Sequence, residues 1–78
     1  MDKRKQILDV IRKVSGKELS PEPDESLFDS GLLDSFALPD MVGELESVFG
    51  VKIPDADLTP RKFDTIERIE EYIEEHQN

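Results

Sequence analysis

The sequence predicts a small all-α protein, an antiparallel bundle of three principal helices with a short additional helix and a long first loop. Apolar residues outside the loops recur at helical spacing. Proline and glycine, which interrupt helices, lie mostly between these apolar segments. The chain has 78 residues and no cysteine. We therefore expect one domain, residues 1–78, near the lower size at which a core holds without disulfides or metal.

The first helix is predicted from Asp2 to Val14. Ile7, Ile11 and Val14 share one face, while lysines and arginines cover the opposite face. We interpret it as a structural helix with a basic, solvated surface, since its apolar stripe is short for membrane binding. Gly16 is expected to end the helix, because glycine readily takes the left-handed conformation found just past helix ends.

A long loop is predicted from Lys17 to Asp34, because its two prolines oppose helix formation. We expect a helical turn around residues 26–29, and Gly31 would allow the chain to turn towards the next helix. Apolar residues within the loop are expected to anchor it to the core: Leu19, Leu27, Phe28, Leu32 and Leu33.

The second helix is predicted from about Ser35 to Phe49, with Ser35 as its N-cap residue. Pro39 leaves its start open: either the helix begins near Leu38, with Pro39 in the first turn, or the first turn is distorted. Gly43 would be tolerated best where another backbone or a ligand comes close. The expected buried stripe comprises Leu38, Met41, Val42, Leu45, Val48 and Phe49.

The rest of the chain is predicted to close the bundle with a short element and a last helix. Gly50 ends the second helix, and Asp55 is expected to cap a short third helix or turn. Asp64 is expected to cap the last helix, with Glu67 completing a capping box. His76 is interpreted as a surface residue near the end of that helix. Its inner stripe is expected to comprise Ile66, Ile69 and either Tyr72 or Ile73.

The charge of the chain is unevenly distributed. The segment from Glu18 to Val51 holds nine Asp or Glu residues and no Lys or Arg, which equals the net charge of −9. A field of one sign argues against nucleic-acid binding and suits partners with basic docking patches. The charged N-terminus precedes no long apolar run. We therefore expect neither a signal peptide nor a membrane span, and a monomeric cytoplasmic protein.

Ser35 is the candidate functional residue. It lies where a loop rich in proline, aspartate and serine meets an apolar, acidic helix. A helix N-terminus presents free N–H groups and the positive end of the helix dipole, so it would stabilise an anion attached to Ser35. No histidine or cysteine lies near Ser35 in sequence to activate it. We therefore expect that the chain is not an enzyme. We also expect no metal site, since the chain lacks cysteine for a cysteine-rich zinc site and its acidic loop lacks EF-hand spacing.

The residues around Ser35 resemble those of the acyl carrier protein family. The pair Asp34-Ser35 stands among three further matching segments: LFDSGLL at 27–33, LE at 45–46 and FGVKIP at 49–54. The resemblance covers nearly the whole chain. It implies that a phosphopantetheinyl transferase attaches 4′-phosphopantetheine from coenzyme A to Ser35, with Asp34 as the flanking motif residue. The thiol of this arm would hold acyl or aminoacyl groups as thioesters for delivery to partner enzymes.

The resemblance also implies which residues contact those partners. In carrier proteins the helix after the modified serine is the main contact surface, so we expect Phe36, Asp40, Met41 and Glu44 to bind partner enzymes. Residues 32–35 look closer to D-alanyl and other aminoacyl or peptidyl carriers than to the housekeeping fatty-acid carrier. The pathway stays open at this point among fatty acid, polyketide, peptide and related biosynthesis.

Two alternatives remain from the sequence. One is an acidic helical interaction module in which Ser35 is only a helix cap, and Pro39 favours it because a disturbed first turn would spoil recognition by a transferase. The other, weaker alternative is a calcium-responsive binder that uses the acidic loop. That loop lacks the ligand spacing of an EF-hand.

Overall fold

The computed structural model describes residues 3–18 and 20–77. Three α-helices are present: α1 (Lys3–Ser15), α2 (Leu38–Phe49) and α3 (Ile66–His76). One single 3-10 turn, Ser35–Ala37, precedes α2. Another, Asp55–Asp57, lies between α2 and α3. The described residues contain no β-strand. The prediction of a small all-α bundle with a long first loop is confirmed.

Helix α1 lies at the centre of the bundle and packs against both α2 and α3. Lys13 near its end pairs with Glu44 of α2, and Arg4 near its start pairs with Glu70 of α3. The buried core of the described residues consists of hydrophobic side chains, and each of the larger ones contributes roughly 1.5–3 kcal/mol by burial. Its members are Ile7, Val10, Ile11, Leu27, Leu33, Leu38, Met41, Val42, Leu45, Val51, Ile53, Phe63, Ile66, Ile69, Tyr72 and Ile73.

The start of α2 decides between the two readings of Pro39. The helix begins at Leu38, so Pro39 is its second residue, where a missing N–H has no partner within the helix to lose. The alternative in which the helix begins near Leu38 is therefore confirmed, and the prediction of an α-helix from Ser35 is wrong. The predicted burial of Val48 is also wrong, because this side chain is 43% exposed at the rim between α1 and α2.

Glycine ends two helices as predicted. Gly50 has φ +66° and donates its N–H to the Glu46 carbonyl at 2.9 Å. Gly16 has φ +70° and donates to the Arg12 carbonyl at 2.9 Å. In both cases the left-handed residue satisfies a carbonyl that the helix leaves free. The predicted helix start at Asp2 lies outside the described residues.

Two predicted aspartate caps are wrong. Asp55 opens a 3-10 turn whose N-cap position is held by Pro54, without a side-chain cap. Helix α3 is capped by Thr65, whose Oγ1 accepts a hydrogen bond from Arg68 N at 3.1 Å. The capping box of Asp64 and Glu67 is therefore not formed. Asp64 serves a different purpose, because its carboxylate binds the first loop.

The first loop is fastened to the start of α3 through Asp64. Its Oδ1 accepts hydrogen bonds from Ser26 Oγ at 2.7 Å and from Phe28 N at 3.4 Å. The Asp64 carbonyl accepts another from Leu27 N at 2.6 Å. The Leu27 side chain is fully buried, which confirms it as an anchor. The predicted anchor Leu19 lies outside the described residues.

The helical turn predicted around residues 26–29 is present. Ser26 Oγ accepts from Asp29 N at 3.0 Å, and the Ser26 carbonyl accepts from Ser30 N at 3.2 Å. Gly31 follows with φ +81°, a conformation that costs little only for glycine. Leu33 then enters the core. The chain is thus directed towards Ser35 by a turn whose two ends are both fixed.

Candidate functional site

Ser35 is the first residue of the 3-10 turn that precedes α2. The N-cap of this turn is Asp34, and the prediction that Ser35 caps the helix is wrong. Asp34 Oδ1 accepts hydrogen bonds from the N–H groups of Phe36 and Ala37, both at 3.0 Å. Because the Asp34 carboxylate accepts the capping hydrogen bonds, the Ser35 oxygen is not needed as the cap.

The Ser35 side chain lies in solvent. The residue is exposed, and within residues 3–18 and 20–77 its hydroxyl has no hydrogen-bond partner. The preceding Leu33 is buried and the Ser35 carbonyl accepts from Leu38 N, so the backbone on both sides is held. The result is an unengaged hydroxyl on a fixed turn, the arrangement that transfer of a group onto the serine oxygen requires.

The electrostatics at Ser35 act in two directions. The twelve-residue helix α2 begins three residues later, and its N-terminal dipole favours an anion on the serine oxygen. Asp34 and Asp40, which precede and follow Ser35 in sequence, are exposed, and their negative charges oppose an anion. Solvent screens these exposed charges, so a phosphodiester fits at Ser35, where it also keeps its own contact with water.

The residues expected to contact partners differ in exposure. Phe36 is 88% exposed, an unusual setting for an aromatic ring, and Asp40 is also exposed. Glu44 is half-buried and forms an ion pair with Lys13 at 3.0 Å. Met41 is fully buried in the core. Its assignment as a partner contact is therefore wrong, since it points into the bundle at the helical spacing of Leu38 and Leu45.

The sequence reading missed two features of this end of the molecule. Val48 offers an exposed apolar side chain, and Gly43 has open space where a Cβ would stand, with no neighbour within 4 Å. Of the two settings expected for Gly43, the approach of another backbone is therefore not found among the described residues, and the approach of a ligand stays a prediction. Its helical spacing from Asp40 placed Gly43 on the outer face of α2, which is the signal that could have identified an open surface.

No metal centre is formed by the described residues, which contain no cluster of three His, Asp or Glu side chains suited to one. His76 is exposed and stacks on the ring of Tyr72, with ring centroids 4.0 Å apart. Its Nδ1 lies 2.8 Å from the Tyr72 carbonyl. This agrees with its interpretation as a surface residue. No helix among residues 3–18 and 20–77 has the length and apolar character needed to cross a membrane.

Comparison with known proteins identifies the family. Residues 5–73 match the family model described as the phosphopantetheine attachment site. The chain is 32% identical to the D-alanyl carrier proteins of Lactobacillus acidophilus and Lactobacillus helveticus, over its whole length and 99% of theirs. It is also 32% identical to the D-alanyl carrier protein of Streptococcus uberis, with the same coverage.

These relatives establish the kind of protein. The chain carries covalently attached 4′-phosphopantetheine and is a carrier rather than an enzyme. The relatives lend no support to a role in fatty acid biosynthesis, nor to an interaction module without a prosthetic group. The chain belongs to the family of phosphopantetheine-binding carrier proteins.

Proposed function

We propose that this protein is an aminoacyl carrier, with D-alanine as its cargo, and that Ser35 is the attachment point of its arm. The observation that carries the assignment of Ser35 is its exposure on a turn that Asp34 caps. The assignment of D-alanine is supported by the names of the relatives that match over the full chain.

The attachment chemistry requires little of the carrier itself. The Ser35 oxygen forms a bond to the β-phosphorus of coenzyme A, and the bond from that phosphorus to the oxygen bridging it to the nucleotide half breaks. The serine proton passes to the transferase, and the nucleotide leaves as adenosine 3′,5′-bisphosphate. The chain contributes position: the Asp34 cap holds the turn, and exposure lets a transferase reach the oxygen.

The arm supplies a thiol, which this chain lacks because it contains no cysteine. A thioester on that thiol holds the aminoacyl group in an activated form for transfer by other enzymes. The residues of the carrier keep the arm at the surface and present it beside Phe36 and Asp40. A small polar cargo such as D-alanine requires no opening of the apolar core.

Intact-mass measurement tests the attachment point. The purified chain is incubated with coenzyme A and a broad-specificity phosphopantetheinyl transferase, and we expect a mass gain of one phosphopantetheine. Ser35→Ala should show no gain, whereas Ser47→Ala, which removes an exposed serine of α2, should gain it fully. A gain by the Ser35→Ala chain would contradict the proposed attachment point.

The cargo is tested on the modified chain. A D-alanine-activating enzyme from an organism with a D-alanyl carrier protein should add D-alanine to the arm, seen as a second mass gain that hydroxylamine removes. The control uses a fatty-acid-activating enzyme and a long-chain fatty acid under the same conditions. Loading by the fatty acid with none by D-alanine would overturn the proposed cargo and leave the attachment point intact.

We also propose that Phe36 and Asp40 are contacts for partner enzymes. An exposed aromatic ring next to a carboxylate, within the acidic segment, suits a partner surface with an apolar pocket and basic rim. Replacement of Phe36 by Ser is expected to raise the KM of the loading enzyme roughly ten-fold, equivalent to about 1.4 kcal/mol. Asp40→Lys should raise KM by less, and this effect should shrink at high salt.

The matched control for the charge reversal is Glu74→Lys, which changes an exposed carboxylate on α3. It alters the net charge by the same amount as Asp40→Lys but lies on another helix. Equal KM values for the Asp40→Lys and Glu74→Lys chains would show that only net charge matters, and would contradict docking at Asp40.

A further inference from the structure

We infer that the groove between α1 and α2 is a resting site for the phosphopantetheine arm, an inference that rests on attachment at Ser35. The groove is defined here as three adjoining surface depressions of about 270, 400 and 300 Å³. The first contains Asp34 and Ala37, on either side of Ser35, and the third ends at Val48.

The three depressions adjoin one another, since neighbouring depressions share lining side chains. Val14 of α1 lines both the first and the second, while Lys13 and Glu44 line both the second and the third. Helix rise is about 1.5 Å per residue, so the groove follows α2 for roughly 16 Å from Ala37 to Val48. An arm that starts at Ser35 and extends along α2 therefore stays in the groove over its length.

Gly43 keeps the middle of the groove open. A Cβ built on Gly43 would meet no atom within 4 Å, so no packing contact within the described residues calls for glycine there. Glycine inside a helix nevertheless costs roughly 1 kcal/mol relative to alanine. This residue lines the second depression beside Pro39, where any larger side chain would occupy the groove. A phosphopantetheine arm lying in the groove would account for a glycine at this position.

The chemistry of the groove matches that of the arm. Lys17 lines the first depression together with Asp34, so an ammonium group is available to the phosphodiester end. The Lys13 and Glu44 ion pair, at 3.0 Å, offers a donor and an acceptor to the two amides of the arm. Val48, which is 43% exposed, supplies apolar surface at the far end.

A separate surface depression, outside the groove, provides a comparison. It is larger, about 570 Å³, and lies between the Asp55–Asp57 turn and α3. It has no lining residue within 31–37, the segment that contains Ser35, whereas the α1–α2 groove begins there. Position next to the attachment point therefore favours the groove as the resting site, although its depressions are smaller.

A spin label on the arm tests the inference. Since the chain has no cysteine, the thiol of the attached arm is the sole reactive thiol, and a nitroxide reagent labels it alone. We expect the nitroxide to broaden the amide NMR signals of Val10, Gly43 and Val48 strongly. Reduction of the nitroxide provides the diamagnetic reference. Gly43→Leu, which fills the groove, should lower the broadening at Val10 and Val48 several-fold.

The matched control is Ser47→Leu, which adds the same side chain to an exposed position of α2 that does not line the groove. It should leave the broadening unchanged. Broadening centred on Ser35 with none at Val10 or Val48, or equal effects of the two leucine variants, would overturn the inference while the mass gain upholds attachment. A native chain without the mass gain would overturn both proposals.

Discussion

Two loops of this protein are each fastened by one aspartate, and the two fastenings differ in kind. Asp64 holds the first loop through uncharged donors, the Ser26 hydroxyl at 2.7 Å and the Phe28 N–H at 3.4 Å. Asp57 holds the loop between α2 and α3 through the Lys62 ammonium and the Tyr72 hydroxyl, both at 2.6 Å. Asp64 lies 38 residues from Ser26 in sequence, whereas Asp57 lies 15 residues from Tyr72 and 5 from Lys62.

The difference shows how the acidic chain assigns separate tasks to its carboxylates. The Asp64 contacts fix the turn that leads to Ser35, so the geometry of the site depends on hydrogen bonds from uncharged donors, which salt weakens less than it weakens an ion pair. The Asp57 contacts lie next to the pair of Tyr72 and His76 and involve a charge pair. The Lys62 and Tyr72 hydrogen bonds hold the pKa of Asp57 below its usual value. The stability that these contacts add is present above pH 3.8 and is lost as the pH falls from there through the folded pKa, and salt weakens the ion pair.

The largest expected effect comes from removing the Asp64 carboxylate. Asp64→Ala loses two hydrogen bonds and leaves the O–H of the half-buried Ser26 without its acceptor, so we expect the free energy of unfolding to fall by about 2–3 kcal/mol. Asp64→Asn keeps an acceptor oxygen and should lose less. Urea denaturation measures both. A loss below about 0.5 kcal/mol for Asp64→Ala would show that the apolar anchors alone hold the loop.

A smaller effect is expected from Tyr72→Phe. The change removes the hydroxyl that donates to Asp57 but keeps the ring against Phe63, with centroids 5.0 Å apart. We expect a loss of about 1 kcal/mol in the free energy of unfolding, measured under the same urea conditions. If this loss equals or exceeds that of Asp64→Ala, the ranking of the two loop contacts is reversed.

The smallest effect concerns pH. Burial, and then the hydrogen bond to Asp57, raise the pKa of Tyr72 above its ordinary 10.0. The folded state thus retains the phenol proton more tightly than the unfolded state. The resulting stability is fully present below pH 10.0 and is lost as the pH rises from there through the folded pKa.

Ultraviolet absorbance of tyrosinate measures this directly, because Tyr72 is the one tyrosine of the chain. The native chain should ionise at higher pH than the chain in urea. Identical tyrosine titration curves with and without urea would contradict a pKa of Tyr72 that is raised by folding.

Most of the helical architecture could be predicted from local patterns. The apolar spacing of Ile7 and Ile11, or of Ile66 and Ile69, allows few ways to bury these side chains other than a helix face. Gly16 and Gly50 end their helices where a left-handed residue is needed. The position of Ser35 after an acidic loop likewise predicted the candidate site, because the signal lies in adjacent residues.

Choices between neighbouring residues could not be predicted in this way. Asp34 and Ser35 are both good N-cap residues, as are Asp64 and Thr65, and local propensity ranks each pair nearly equally. Thr65 caps α3 because the Asp64 carboxylate is bound to Ser26, a contact made by a residue 38 positions away. The exposure of Val48 similarly depends on how far α1 covers α2.

The sequence by itself determined that this chain forms three amphipathic helices with an acidic surface and a serine at the entrance of the second. Only the tertiary structure decided that Asp34 takes the capping hydrogen bonds, that the Ser35 side chain is exposed and that an open groove passes Gly43. The reason is physical: helical periodicity is a property of nearby residues, whereas capping, exposure and grooves depend on which distant elements pack together.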